Sequence, residues 1–180
     1  MMVVFDTETT GLLLPSAAGA EHQPHIVELT ALKMNRDFQI TDELILRLNP
    51  QADIQDEATK VHKITNEDVK YCPTFAKKFY EIASFFLGCT YCIGHNIMFD
   101  KTMLYFELMR IDKTLSFPWP PITIDTMEQS KQFNGYHMNL TNLHIKLFGE
   151  AFEGAHSAET DTRITAKCFA ELCRKEMIRL

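Results

Sequence analysis

The apolar positions change period along the chain, and each change predicts an element. Val3-Val4-Phe5 opens a run of β-branched and aromatic residues that Gly11 ends, which reads as a strand. Residues 25–33 and 43–48 read as a second and third strand, with Arg36-Asp37 in the turn between them and Pro50 after the third. Short connections between such strands predict an antiparallel meander. A short helical piece is expected over 57–62, and Thr65 is placed to cap a turn that begins with acids. Helical spacing then takes over. Phe75, Phe79, Ile82, Ala83 and Phe86 share one face of a helix over 74–87, and Gly88 stops it. Residues 90–94 form a short strand, and 99–111 a second amphipathic helix. The Phe117-Pro118-Trp119-Pro120-Pro121 stretch is incompatible with a helix. A brief strand at 122–124 follows, then a helix capped by Asp125, a short helix over 139–148 ended by Gly149, and a long last helix capped by Ser157. The order predicts an α/β fold: a mixed five-stranded sheet, order 3-2-1-4-5 with strands 1–3 antiparallel, flanked by helices in a single domain over 1–180.

Composition narrows the setting. A chain of 180 residues buries a sizeable core. No apolar run is long enough to span a bilayer, so no membrane association is expected. The N-terminus enters a strand directly, so no signal peptide is expected. Five cysteines, an odd number scattered through apolar segments, predict a reducing, cytoplasmic setting rather than a disulfide framework. The net charge of −6 argues against a long nucleic-acid footprint built on Lys and Arg, although a few phosphates can be met through metal ions.

Candidate chemistry starts in the first strand. Side chains alternate between faces, so Asp6 and Glu8 point the same way. Oxygen ligands on one face suit Mg²⁺ or Mn²⁺. Taken alone, the pair is better read as an ordinary strand end with solvated acids. Further acids change this. Asp100 follows Gly94-His95-Asn96 into a first helical turn, and Asp161 lies one turn into the last helix with His156 on the loop before it. In the expected topology these element ends converge, giving a pocket of four carboxylates with His156 at its rim.

Together Asp6-Thr7-Glu8-Thr9-Thr10-Gly11, His95-Asn96-x-x-Phe99-Asp100 and His156-x-Ala158-x-x-Asp161 resemble the three motifs of the DEDDh 3′–5′ exonucleases. The similarity is greatest to the proofreading epsilon subunits of bacterial DNA polymerase III, and it extends to His25-Ile26-Val27-Glu28-Leu29 and Val61-His62-x-Ile64-Thr65. The resemblance implies a ribonuclease-H-like fold and release of nucleoside 5′-monophosphates from a DNA 3′ end. Two Mg²⁺ or Mn²⁺ ions about 4 Å apart would be held by Asp6, Glu8, Asp100 and Asp161, with His156 as general base. It also implies substrate contacts: Leu12 as a wedge against the terminal base, the backbone of Thr9, Thr10 and Gly11 beside the terminal nucleotide, and Glu57 and His62 near its sugar or phosphate. For Glu57 an equally good reading is an acid meeting the helix dipole. His95, Asn96 and Phe99 would brace the loop that presents Asp100. Alternatives are an RNA-trimming enzyme of oligoribonuclease or ribonuclease T type, and a non-catalytic module that binds nucleic acid or a polymerase. A polymerase partner or a homo-oligomer is compatible with the sequence. Epsilon subunits carry a C-terminal extension for the polymerase, whereas this chain stops soon after its last helix.

Other signals point to packing. Cys89-x-x-Cys92 with His95 lacks a further ligand pair for zinc. Asp125 reads as an N-cap, Trp119 as loop packing, and the scattered lysines as a solvated face.

Overall fold

The computed structural model describes residues 1–15, 19–154 and 157–180. Strands β1 (Met2–Thr9), β2 (Ile26–Met34) and β3 (Ile40–Arg47) form the antiparallel meander. Strands β4 (Tyr91–Gly94) and β5 (Ile122–Asp125) add in parallel on the other side of β1. The sheet order is β3-β2-β1-β4-β5, as the pattern predicts, so β1 is central. The helices are α1 (Asp56–His62), α2 (Asn66–Val69), α3 (Phe75–Phe86), α4 (Ile97–Arg110), α5 (Thr126–Asn134), α6 (Leu140–Phe148) and α7 (Ala158–Arg174). Among the described residues no helix is long and apolar enough to cross a membrane.

The alternation of β1 divides the core into two layers. Val3 and Phe5 face the layer built from Phe79 and Phe86 of α3 and Leu104 and Leu108 of α4. Phe5 meets Phe86 edge-on at 5.2 Å between ring centroids. Met2 and Val4 face the opposite layer, with Cys168, Phe169 and Leu172 of α7. Helices therefore cover both faces of the central strand, and its polar C-terminal half emerges between the first turns of α4 and α7. A smaller cluster of Val27, Ile54, Ile64 and Val69 ties the 50–70 segment to β2.

The helix ends follow local chemistry. Thr65 and Asp68 form a reciprocal capping box at α2. Asp125 accepts from the Met127 N–H and Asn139 from the Asn142 N–H. Helix α4 begins two residues earlier than its apolar spacing suggests. Asn96 adopts the left-handed conformation (φ 65°) at its N-cap, and its carbonyl receives the Phe99 N–H. Ser157 corrects an expectation: it stands at the N-cap of α7, but its side chain makes no capping bond. Glu159 and Asp161 instead place two acids at the positive end of the helix dipole.

Candidate active site

The acids gather where β1 outruns its neighbour. Strand β4 pairs with β1 only at Met2, Val3 and Val4. Asp100, from the first turn of α4, occupies the edge beyond. One oxygen, Oδ1, accepts the Thr7 backbone N–H at 2.9 Å and the Thr7 hydroxyl at 2.7 Å. Asp100 is only 3% exposed. Asp6 and Glu8 lie on the other face of β1, toward α7, and Asp161 joins them there. Oxygens of Asp6, Glu8 and Asp161 all lie within 4.8 Å of one another. Glu8 stands opposite Glu28, and immediately after this pair the β1–β2 register shifts, so that Thr9 stands opposite Ile26. Such a bulge re-aims a strand end beside a site.

Crowding perturbs these acids. Burial, and then the charges of Asp100, Glu8 and Asp161, push the Asp6 carboxyl well above the usual range. Burial, Asp161 and Glu28 push Glu8 up to about 8. Burial pushes Asp100 up to about 7, against the lowering effect of the two Thr7 bonds. Positive charge enters from the far side of the meander. Arg47 stands opposite Glu28 across β2 and β3, and its Nε donates to Glu28 Oε2 at 2.9 Å while Nη2 donates to the same oxygen. Glu8, Glu28 and Arg47 thus form one row across three strands. A half-buried trio of oxygen donors that repel one another is the donor set a hard divalent cation fits. Asp6, Glu8 and Asp161 are the residues that would hold it, with Asp100 adjoining.

Beside Glu8 opens a pocket of about 490 Å³ lined by Leu12, Leu13, Leu14, Val61, Phe99 and polar groups from β1 and α1. Its edge is stitched in place. The Thr10 N–H donates to the His25 carbonyl at 2.8 Å, the Thr10 hydroxyl accepts the His25 N–H at 2.9 Å, and the Thr9 hydroxyl donates to the Gly11 carbonyl at 2.7 Å. His62 lines the pocket, yet both of its ring nitrogens are engaged. Nδ1 accepts the Ile64 N–H at 3.0 Å, which leaves Nε2–H to donate to the Thr9 carbonyl at 3.1 Å. Its pKa is lowered by burial, which fits a neutral ring serving as a brace. Glu57 is exposed at the rim with Lys60 at 4.0 Å, and Leu12 is 79% exposed.

The loop that presents Asp100 is hydrogen-bonded to two neighbouring segments. His95 Nε2 donates to the Met138 carbonyl at 3.0 Å, and Nδ1 meets the Thr126 hydroxyl at 2.9 Å. Neither nitrogen is left for a metal, and Cys89 and Cys92 are buried thiols, the latter pushed up to about 12 by burial. Asp125 Oδ1 receives both the Met127 and the Asn96 N–H at 2.9 Å, so it works as a cap that also holds the motif loop. Trp119 packs against Phe117 at 4.7 Å. His156, the expected base, lies outside the described residues.

Three features of the site escaped sequence reasoning. Thr7 sits between the two acids on the opposite face, and the period of two marks it as inward-facing without naming its partner 93 residues away. The Glu28–Arg47 pair depends on strand register. Arg110 pairs with Glu107 at 3.0 Å and donates to the carbonyls of Ala20, Gln23 and Pro24, while Glu107 accepts the Ile26 N–H at 3.1 Å. Gln23 in turn accepts the Leu14 N–H at 3.0 Å, so α4 secures the loop that carries the leucine lip.

Comparison with known proteins agrees with this geometry. A family model described as RNase_T, Exonuclease, matches residues 3–169. The chain is 32% identical over 178 residues to the DNA polymerase III subunit epsilon of Rickettsia conorii, covering 94% of this chain and 72% of that protein. It is 30% identical over 169 residues to the PolC-type DNA polymerase III of Clostridium perfringens, covering 92% of this chain but only 11% of that much longer protein. Among solved structures, the nuclease domain of 3′hExo, a DEDDh family member bound to rAMP, superposes with a TM-score of 0.77 at 16% identity, covering 99% of this chain and 94% of that one. With the family model running through all three acidic segments, the chain belongs to the RNase_T family of exonucleases.

Proposed function

We propose that this chain is a metal-dependent 3′–5′ exonuclease that removes nucleoside 5′-monophosphates from single-stranded or frayed DNA ends. The observation that carries the reading is the abutment of the Asp6–Glu8–Asp161 cluster on an apolar pocket of nucleotide size, with Glu8 belonging to both. Asp6, Glu8, Asp100 and Asp161 would hold two Mg²⁺ or Mn²⁺ ions, which when bound supply an activated water and stabilise charge on the leaving oxygen. The chain's own residues do the rest. Leu12 to Leu14 grip the terminal base, Glu57 accepts from the 3′-hydroxyl, His62 holds the Thr9 carbonyl in place, and His156 takes the proton of the attacking water. DNA is favoured by the epsilon and PolC relatives, and a cytoplasmic polymerase partner fits the same likeness. The rAMP in the 3′hExo structure favours RNA as the second reading.

The test is incubation of 5′-labelled single-stranded DNA and its RNA counterpart with Mg²⁺ or Mn²⁺, beside Asp6→Ala. The expected result is a ladder shortening from the 3′ end of the DNA, absent in the variant. Shortening of RNA alone would move the assignment to the second reading, and loss of neither would leave a non-catalytic module.

A further inference from the structure

Most of the polar side chains lining the pocket are committed to the protein. The Thr7 hydroxyl donates to Asp100, the Thr9 hydroxyl to Gly11, and His62 is bonded at both nitrogens. Glu8 belongs to the acid cluster. Glu57, paired with Lys60, and Gln55 also line the space, and Gln55 is the neutral one.

Three observations single out Gln55. It occupies the N-cap of α1, where Ser, Asp or Asn would turn its side chain back onto the helix, yet its own side chain makes no cap bond. Its backbone is fixed: the N–H donates to the Thr10 carbonyl at 2.9 Å, and its carbonyl accepts the Thr59 N–H at 3.0 Å. The freed carboxamide lies across Gly11, so close that a Cβ there would stand 2.5 Å from Oε1 and 2.7 Å from Nε2. Only glycine at position 11 leaves that space to the carboxamide.

We propose that the Gln55 carboxamide hydrogen-bonds the terminal nucleoside and sets which 3′ ends the enzyme prefers, an inference that rests on the exonuclease reading above. A carboxamide presents a donor and an acceptor side by side. The matching chemistry is a neighbouring donor and acceptor on the nucleoside, as on the edge of adenine or at a ribose 2′-hydroxyl. Glu57, being anionic, offers an acceptor alone.

The experiment measures kcat and KM on single-stranded oligonucleotides that end in each of the four bases, with deoxyribose or ribose at the last position. The proteins are the parent, Gln55→Leu, Gln55→Ser and Gly11→Ala. Gln55→Ser supplies a capping residue while removing the carboxamide, so its Tm should equal or exceed the parent's. Gly11→Ala displaces the carboxamide from its seat. All three should lose kcat/KM by roughly 2- to 10-fold on the preferred end, chiefly through KM, the scale of one neutral hydrogen bond. In the two Gln55 variants the other ends should change little, so the spread among ends collapses. A loss that follows base identity assigns the contact to the base edge, and one that follows the ribose assigns it to the 2′-hydroxyl. Equal loss on every end, or none, with an active parent overturns the proposal and leaves the exonuclease reading standing. A parent inactive on every end overturns both.

Discussion

Thr7 donates twice to one oxygen of Asp100, from its backbone N–H and from its hydroxyl, on the side of β1 where its pairing with β4 has ended. The residue between the two acids of the first motif therefore positions the acid of the second. Thr7→Val keeps the shape and the backbone bond but removes the 2.7 Å hydroxyl bond. A hydrogen bond to a charged group contributes about 1.5–3 kcal/mol, so kcat should fall by roughly 10-fold or more with KM little changed, and Thr7→Ser should recover most of it. Steady-state kinetics on a single-stranded substrate would decide this, and a Thr7→Val enzyme with parental kcat would remove Thr7 from that role.

The acid cluster gives stability a pH dependence of definite sign. Glu8 is raised from 4.5 to about 8 and Asp100 from 3.8 to about 7. Across that window the folded protein retains protons that the unfolded chain has released, so metal-free stability falls as pH rises and levels off above about pH 8. His62 and His95 act oppositely, since burial lowers both pKa values and their protonation favours unfolding at low pH. Comparing melting curves in chelator for the parent and Glu8→Gln isolates the acid contribution. The variant should lose less Tm than the parent between about pH 5.5 and about pH 8.5. Mg²⁺ or Mn²⁺ should raise the parent's Tm most at the alkaline end, where the carboxylates are free to ligate. Parallel pH profiles for the two proteins would count against the cluster as described.

Arg47 balances a carboxylate that faces another across the ladder. Replacing it by Met leaves Glu28 buried opposite Glu8. Breaking a fully buried pair costs about 3–5 kcal/mol, and the partial exposure of Arg47 screens this to about 1–3 kcal/mol. Urea unfolding should show the deficit at neutral pH, and Glu28→Gln in the same chain should restore part of it. No recovery in the double variant would mean that Arg47 acts through packing alone.

Arg110 secures the 20–24 loop through three carbonyls. With Arg110→Met, hydrogen exchange should accelerate at the amides of Leu14 and Ile26, while the amides of β4 keep parental protection. KM should rise, because the leucine lip is held through the same loop, whereas divalent-ion binding to the acids should be unaffected. Unchanged exchange at Leu14 would disconnect the clamp from the lip.

Much of the architecture was legible because it depends on period. The apolar, β-branched runs in 25–33 and 43–48, helical spacing in 74–87 and the Pro-rich break at 117–121 suffice for the sheet order and for β1 at its centre. The acids were legible because they sit at element ends in a recognisable order. What could not be read depends on register and on side-chain choice. Glu28 faces Glu8 because the register that pairs Met2 with Met34 runs unbroken to that point, and nothing in the spacing shows that register or the shift that follows it. Ser157 and Gln55 both stand at helix N-caps without capping, whereas Thr65, Asp125 and Asn139 cap as their residue types suggest. Residue type sets a preference at a cap, and neighbouring groups decide whether the side chain takes it.

The leucine lip brings a constraint of a different kind. Leu12, Leu13 and Leu14 are 79%, 36% and 43% exposed, three consecutive apolar side chains on the rim of the pocket. Such a run is normally selected against because it invites self-association. Here the same surface that would hold a nucleobase is the surface that water disfavours, so colloidal behaviour and substrate grip are drawn from one set of atoms. On the proposed function, any change that makes the protein better behaved at high concentration by making this lip polar would weaken its hold on the end of a strand.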